Sequence, residues 1–179
     1  MQSVRTKVLM PLLVVGWSLG IGAGCAAATI QSDEIYADDP AFRIADDSEI
    51  EDTTRNREVL DALAQYRKAV VRKDFGTLKR IISKNYYDNG GTTATTEDDY
   101  GYEELANVFE RMAQHAEEIK YRVTVRDVTY ERERARVTYE YKYAYKYVLG
   151  EKPTWDAGTE VNRTEMVRED GRWKIIGGL

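Results

Sequence analysis

The pattern that most constrains the fold lies in the last third of the chain. Between Arg134 and Leu149 the residues alternate in character, with the period of two that a β-strand imposes on its two faces. A second alternating segment covers residues 120–130, and the polar residues 131–133 between the two segments are typical of a tight turn. The two segments therefore predict an antiparallel hairpin of long strands.

One face of the second strand is rich in tyrosine, and we call this set the tyrosine row. A buried strand usually carries Val, Ile or Leu, whereas Tyr joins a large apolar ring to a hydroxyl that needs a partner or water. Such a face suits a ligand cavity, a sheet-to-sheet homodimer interface, or a half-exposed packing surface under helices. The sequence leaves these three alternatives open. The row consists of Tyr139, Tyr141, Tyr143, Tyr145 and Tyr147.

Amphipathic helices are predicted before the strands. The first begins at Thr54, where Thr53 or Thr54 can cap it, and the sequence 73–76 interrupts it. A second, shorter helix is predicted to end near Lys84, and a third covers about 102–118. The apolar face of the first helix consists of Val59, Leu63, Tyr66 and Val70.

The order of the predicted elements sets the fold class. Residues 150–158, with a proline and a tryptophan, are predicted as a loop, and 159–168 with 172–176 form a closing hairpin. Helices followed by about four antiparallel strands predict an α+β domain, with the helices packed on one face of a curved sheet.

The N-terminus has the parts of an export signal. Two basic residues precede the apolar run 8–19, and small residues lead to Cys25, the only cysteine. The run 21–25 resembles the bacterial lipoprotein signal box, in which the cysteine receives a diacylglycerol, although Gly22 stands where a Leu-like residue is usual. The alternative is an ordinary secretory signal. With Ala27 two residues after the cysteine, the resemblance implies the periplasmic face of the outer membrane in a Gram-negative host.

Composition narrows the partners. The chain holds 26 Lys and Arg against 31 Asp and Glu, and removal of Arg5 and Lys7 with the signal leaves 24 against 31, a net charge of −7. This acidic balance argues against nucleic acid as a partner, because a phosphate backbone binds a basic surface. An anionic membrane surface would not attract the chain either, so its residence at a membrane would depend on the lipid anchor. We predict a signal peptide over 1–24, an acidic tether over 25–54 and one domain over 55–179.

Local sequences within this domain resemble the nuclear transport factor 2-like superfamily, a cone-shaped fold shared by ketosteroid isomerase, scytalone dehydratase and SnoaL-type cyclases. They are residues 66–78 at a helix junction, 102–105 at the start of the third helix and 170–176 in the closing hairpin. The resemblance implies a cone-shaped α+β domain, but the superfamily includes enzymes, binding modules and assembly domains, so fold does not settle function.

The resemblance also suggests candidate site residues. Tyr66 matches the tyrosine donor of ketosteroid isomerase, Thr164 stands where that enzyme has a second, acidic donor, and Asp88 lies about two residues from the position of its base. His115, the only histidine, titrates near neutrality when unperturbed. Each has a structural alternative, since Tyr66 can be a core residue, Asp88 a turn former and His115 a packed boundary residue.

With one match in three, the sequence favours binding of a small hydrophobic ligand or a protein over catalysis. The alternative is an enzyme that transfers a proton or dehydrates a small hydrophobic substrate, with Tyr66 as donor and Asp88 or His115 as base. No metal site or cofactor is predicted, because one histidine, one cysteine and scattered acids lack ligand spacing.

Overall fold

The structure is a computed structural model that describes residues 42–90, 96–149 and 152–179. The predicted signal and Cys25 lie outside these residues. The described elements are β1 (Phe42–Ile44), α1 (Thr54–Arg72), α2 (Phe75–Ile81), β2 (Tyr87–Asp88), β3 (Tyr100–Gly101), α3 (Tyr102–His115), β4 (Ala116–Glu131), β5 (Arg134–Leu149), β6 (Lys152–Glu169) and β7 (Arg172–Gly177).

The main sheet has the strand order β1-β4-β5-β6-β7, and β2 pairs with β3 in a separate two-stranded sheet. β1 is parallel to β4, whereas the other neighbours are antiparallel. The predicted hairpin of β4 and β5 is present, with Arg132 at a φ of 56° in its turn. Irregular register near Glu117 and Arg126 places β-bulges in β4, and bulges of this kind bend a strand and curve its sheet.

Both helix junctions follow from local chemistry. The hydroxyl of Thr53 accepts a hydrogen bond from the backbone N–H of Asn56 and caps α1, so the cap is the first of the two predicted candidates. Lys73 ends α1 in the left-handed region, and the carboxylate of Asp74 then caps α2 by accepting from the N–H of Thr77 at 2.9 Å. The chain therefore turns within two residues and folds α2 back against the body of the domain.

The core lies between the helices and the concave face of the sheet, which we call the inner face. α1 packs against β4 and β7, and α2 packs against β7. The predicted α+β architecture, with helices on one face of a curved sheet, is confirmed. The largest side chains that are fully buried include Leu60, Leu63, Leu78, Tyr139, Met166 and Ile175.

Two boundaries differ from the sequence prediction. The predicted loop 150–158 is largely strand, because β6 begins at Lys152 and pairs with β5 along the whole length of that strand. Pro153 is compatible with this strand because β7 pairs only with residues 165–169, so no strand among the described residues pairs with the other edge of β6 at Pro153. The third helix stops at His115 instead of 118, where β4 begins.

Part of the predicted tether is folded. β1 pairs with residues 123–125 of β4, and the side chains of Ile44 and Ile50 are buried in the core. Residues 42–50 of the predicted tether therefore pack against the domain that is predicted over 55–179. Across the described residues, no helix combines the length and the apolar character needed to cross a membrane.

Two glycines permit a matched test of the segment that follows β7. Both Gly171 and Gly178 have a positive φ, at 74° and 77°. An added Cβ at Gly171 meets no atom within 4 Å, whereas at Gly178 it lies 2.1 Å from the carbonyl oxygen of Arg163. Gly171→Ala should cost about 1–2 kcal/mol through its backbone conformation alone, and Gly178→Ala should cost clearly more.

Urea unfolding of the two variants measures this difference in the free energy of unfolding. Equal losses would mean that residue 178 does not pass as close to β6 as described.

Candidate functional site

The tyrosine row lies on the inner face of β5. Neighbouring rings contact one another, with centroid distances of 6.0 Å for Tyr139 and Tyr141, 5.9 Å for Tyr141 and Tyr143, and 5.1 Å for Tyr143 and Tyr145. Tyr121 of β4 joins them, with its ring centroid 5.2 Å from that of Tyr141. Strand alternation therefore builds a continuous aromatic surface across two strands.

The row runs from the core towards solvent. Tyr139 is 0% exposed and Tyr121 is 8% exposed, whereas Tyr141, Tyr143 and Tyr145 are half-buried. One end of the row is therefore a packing surface under the helices, and the other end is open enough for contact with a ligand or a second molecule.

Tyr66 reaches the row from α1. Its ring packs against Phe109 of α3 at a centroid distance of 6.5 Å, and its side chain is buried. Burial, reinforced by the nearby hydroxyls of Tyr139, Tyr145 and Tyr141, raises the pKa of Tyr66 well above its ordinary value. Within the described residues its hydroxyl makes no hydrogen bond, so Tyr66 is a protonated donor beside the row.

Thr164 ties the buried end of the row to the end of the fold. Its hydroxyl donates to the carbonyl oxygen of Gly178 at 2.8 Å and lies 3.1 Å from the hydroxyl of Tyr139. Because the single proton of Thr164 goes to Gly178, Tyr139 is the donor of the second hydrogen bond. The position matched to an acidic donor thus holds a fully buried hydroxyl that fixes the backbone.

Asp88 holds the same segment. One carboxylate oxygen accepts from the N–H of Gly178 at 2.7 Å, and the other accepts from the N–H of Gly90 at 3.0 Å. The hydroxyl of Tyr86 lies 3.4 Å from Asp88 and accepts from the N–H of Leu179 at 3.2 Å. Asp88 therefore fixes a turn and the segment 178–179, and both of its oxygens have partners.

The candidate residues named from the sequence do not meet in one closed pocket. Tyr66 lies in the core beside the tyrosine row, whereas Asp88 contacts the segment after β7. His115 is exposed at the end of α3. Within the described residues, no hydrogen bond joins any two of these three side chains.

An open cleft of about 950 Å³ reaches the tyrosine row at the end of β7. Its lining includes Asp88, Tyr100, Tyr141, Glu160 and Asn162, and the hydroxyl of Tyr141 donates to Glu160 at 2.5 Å. The hydroxyl of Tyr100 donates to the carbonyl oxygen of Leu179 at 2.5 Å. The cleft exists because β6 continues beyond its partner β7 and leaves a notch in the sheet.

Sequence reasoning missed several of these residues. Tyr121 follows from the alternation of residues 120–130 and was available as a signal. Tyr100 directly follows the predicted polar loop 89–99, where no periodic pattern predicts which way a side chain points. Glu160 belongs to the site only because it pairs with Tyr141 between β5 and β6. The sequence alone does not predict the register of these two strands.

The open end of the row lies in an acidic environment. Burial raises the pKa of Tyr145 to about 12, with further contributions from Tyr143, Asp156 and Glu160. The pKa of Tyr143 is also raised, by loss of solvation and then by Asp156 and Glu160. The strongest charged neighbours of these hydroxyls are therefore carboxylates, and the tyrosines remain protonated donors at neutral pH.

Gly158 sets the position of one ring. It pairs with Tyr143 across the strands, and a Cβ added there would lie 2.8 Å from the hydroxyl oxygen of Tyr143. Only glycine lets this tyrosine lie across β6.

The described residues contain no group of three or more His, Cys, Asp or Glu side chains that could hold a metal ion.

No protein-family model and no curated protein sequence matches the chain. Solved structures do match its fold. A conserved protein from Planctomyces limnophilus has a TM-score of 0.56 at 15% identity, covering 68% of this chain and 90% of its own. A candidate dehydratase of the nuclear transport factor 2-like family from Streptomyces avermitilis has a TM-score of 0.56 at 17% identity, covering 68% and 91%.

A hexachlorocyclohexane dehydrochlorinase, LinA type 2, has a TM-score of 0.54 at 16% identity, covering 69% of this chain and 82% of its own. These similarities confirm the nuclear transport factor 2-like fold expected from the sequence. At such low identities they establish the fold and no activity.

The structural role of Asp88 can be tested by a near-isosteric change. Asp88→Asn places an amide NH₂ against backbone N–H donors, and we expect it to lower the free energy of unfolding by about 1–3 kcal/mol. Asp47→Asn, at an exposed position near the start of the domain, is the control and should have little effect. Chemical unfolding measures both, and a neutral Asp88→Asn would contradict the role in holding residues 178–179.

Proposed function

Because the domain has the nuclear transport factor 2-like fold, we propose that this protein is a lipid-anchored protein of the bacterial cell envelope that binds a small ligand without converting it. The open end of the tyrosine row is the observation that carries this proposal. There, the half-buried ring of Tyr141 borders the open cleft, together with Tyr100 of β3, and the hydroxyl of Tyr141 donates to Glu160 in the cleft wall. Ligand sites usually combine such apolar surface with a few polar groups that orient the ligand.

The positions of the candidate bases favour binding over turnover. Both carboxylate oxygens of Asp88 accept hydrogen bonds from backbone N–H groups, and His115 is exposed at the end of α3. A general base must come within hydrogen-bond reach of the proton that it removes, close to the donor that stabilises the developing charge. Within the described residues no hydrogen bond joins Asp88 or His115 to Tyr66, and this supports binding over turnover.

The envelope location rests on the N-terminal sequence. Cleavage before Cys25 and diacylation of its thiol would tether the domain through the acidic segment that precedes residue 42. Cys25→Ser removes the acceptor thiol and should shift the protein from the membrane fraction to the soluble fraction of the envelope. Fractionation followed by immunoblotting measures this, with the parent chain as control. A variant that stays with the membranes would rule the anchor out.

Ligand binding can be tested with the Cys25→Ser protein. A thermal-shift screen of small molecules supplies a ligand, and Tyr141→Phe should then raise its Kd about fivefold, which corresponds to one hydrogen bond of about 1 kcal/mol. Tyr102→Phe removes a hydroxyl on α3 outside the row and should leave the Kd unchanged. An unchanged Kd in Tyr141→Phe would place the ligand elsewhere.

The second use of the same surface is a homodimer. The half-exposed rings and the free edge of β6 before residue 165 are the features that favour it. If the row forms a dimer interface, the Cys25→Ser protein should sediment as a dimer and Tyr141→Glu should shift it to a monomer, because an unpaired charge is costly in a buried interface. If the protein remains a monomer at high concentration, the dimer interface is ruled out and ligand binding remains the proposed use of the row.

A further inference from the structure

The open end of the tyrosine row is bordered by a strip of β6 that carries two carboxylates. Across the two strands, Tyr141 pairs with Glu160 and Tyr145 pairs with Asp156. Gly158 lies between the two acids and leaves room for a ring. Because these residues alternate with outward-facing neighbours, the rings and both carboxylates share the inner face of the sheet.

These two carboxylates lack the counterions that acids on the outer face have. On the outer face, Glu140 lies 2.6 Å from the guanidinium of Arg126, and Glu165 lies 2.8 Å from that of Arg136. Within the described residues, Glu160 bonds to the neutral hydroxyl of Tyr141 and forms no ion pair, and Asp156 forms none either. Both are exposed. The inner strip therefore carries negative charge that the described chain does not neutralise.

The aromatic rings beside these acids add apolar contact surface. Tyr143 and Tyr145 stack at a centroid distance of 5.1 Å with an angle of 27° between their planes, so their facing sides cover each other and the pair forms one apolar block next to the strip. Rings and carboxylates together suit a molecule that is both apolar and positively charged.

We propose that the open end of the tyrosine row binds an elongated organic cation with ammonium groups towards its two ends. Its alkyl chain lies on the rings of Tyr143 and Tyr145, and its ammonium groups pair with Glu160 and Asp156. This inference rests on the proposed ligand-binding function and names the chemical class of the ligand.

The spacing of the acids selects this class. Four residues along a strand separate Glu160 from Asp156, which corresponds to about 13 Å. A single metal ion holds its oxygen ligands at about 2.0–2.6 Å, so the two carboxylates cannot share one. An anionic ligand would meet uncompensated carboxylates. A neutral saccharide could stack on the rings, but it would leave both charges unpaired.

Calorimetric titration of the Cys25→Ser protein with spermidine tests the proposal, with 1,8-octanediol as an elongated probe that carries no charge. We expect spermidine to bind and the diol not to bind. In Glu160→Gln combined with Asp156→Asn the Kd for spermidine should rise at least tenfold. Glu133→Gln, in the exposed turn between β4 and β5, lowers negative charge away from the row and should change the Kd less than twofold.

The outcomes separate this inference from the function on which it rests. An equal loss in Glu133→Gln would show general charge attraction and overturn the inference. A different result is that the protein binds the diol or a neutral saccharide, with a Kd that Tyr141→Phe raises, and does not bind spermidine. That result would reject an organic cation as the ligand and retain the proposed ligand site. If no probe of any charge binds or raises the melting temperature, the inference and the proposed function both fail.

Discussion

The fold depends on the pairing of β5 along its whole length. β6 pairs with β5 along its whole length and β4 pairs with residues 134–147, apart from two bulges, so each side chain of β5 has a fixed face. A shift of one residue would turn the tyrosines outward and bring Glu140 and Lys142 into the core. The helices can pack only on the face that this register provides. The core and the candidate site therefore share one constraint.

This register buries the hydroxyl of Tyr139, and the segment after β7 helps to provide its hydrogen-bond partner. A tyrosine as deeply buried as Tyr139 must find a partner for its hydroxyl, or the burial costs about 1–3 kcal/mol. Its partner is Thr164, whose own proton goes to Gly178, and the N–H of Gly178 is in turn held by Asp88. A polar chain thus links the sheet core to the short hairpin of β2 and β3. Thr164 and Asp88, which the resemblance placed at or near catalytic positions, both hold the backbone of Gly178 here.

The sequence predicted the parts of the fold that local periodicity encodes. The face of α1, a threonine cap at its start and the limits of β5 follow from local sequence alone, and each agrees with the structure. The start of β6 did not follow, because Pro153 and Gly158 are typical of loops. Proline fits only because the edge beside it is free, and glycine is needed only because a tyrosine from β5 lies across it. Both reasons concern a neighbouring strand, which local sequence does not contain.

The candidate site shows the same limit for function. The row could be predicted from β5, but its acidic partners are defined by register, and the role of Asp88 by a segment 90 residues away. Both carboxylate oxygens of Asp88 accept from backbone N–H groups. Within the described residues, Glu160 and Asp156 form no ion pair, and Glu160 accepts a hydrogen bond from the hydroxyl of Tyr141. The proposed recognition of a cation therefore depends on two acids that only the pairing of β5 with β6 brings beside the row.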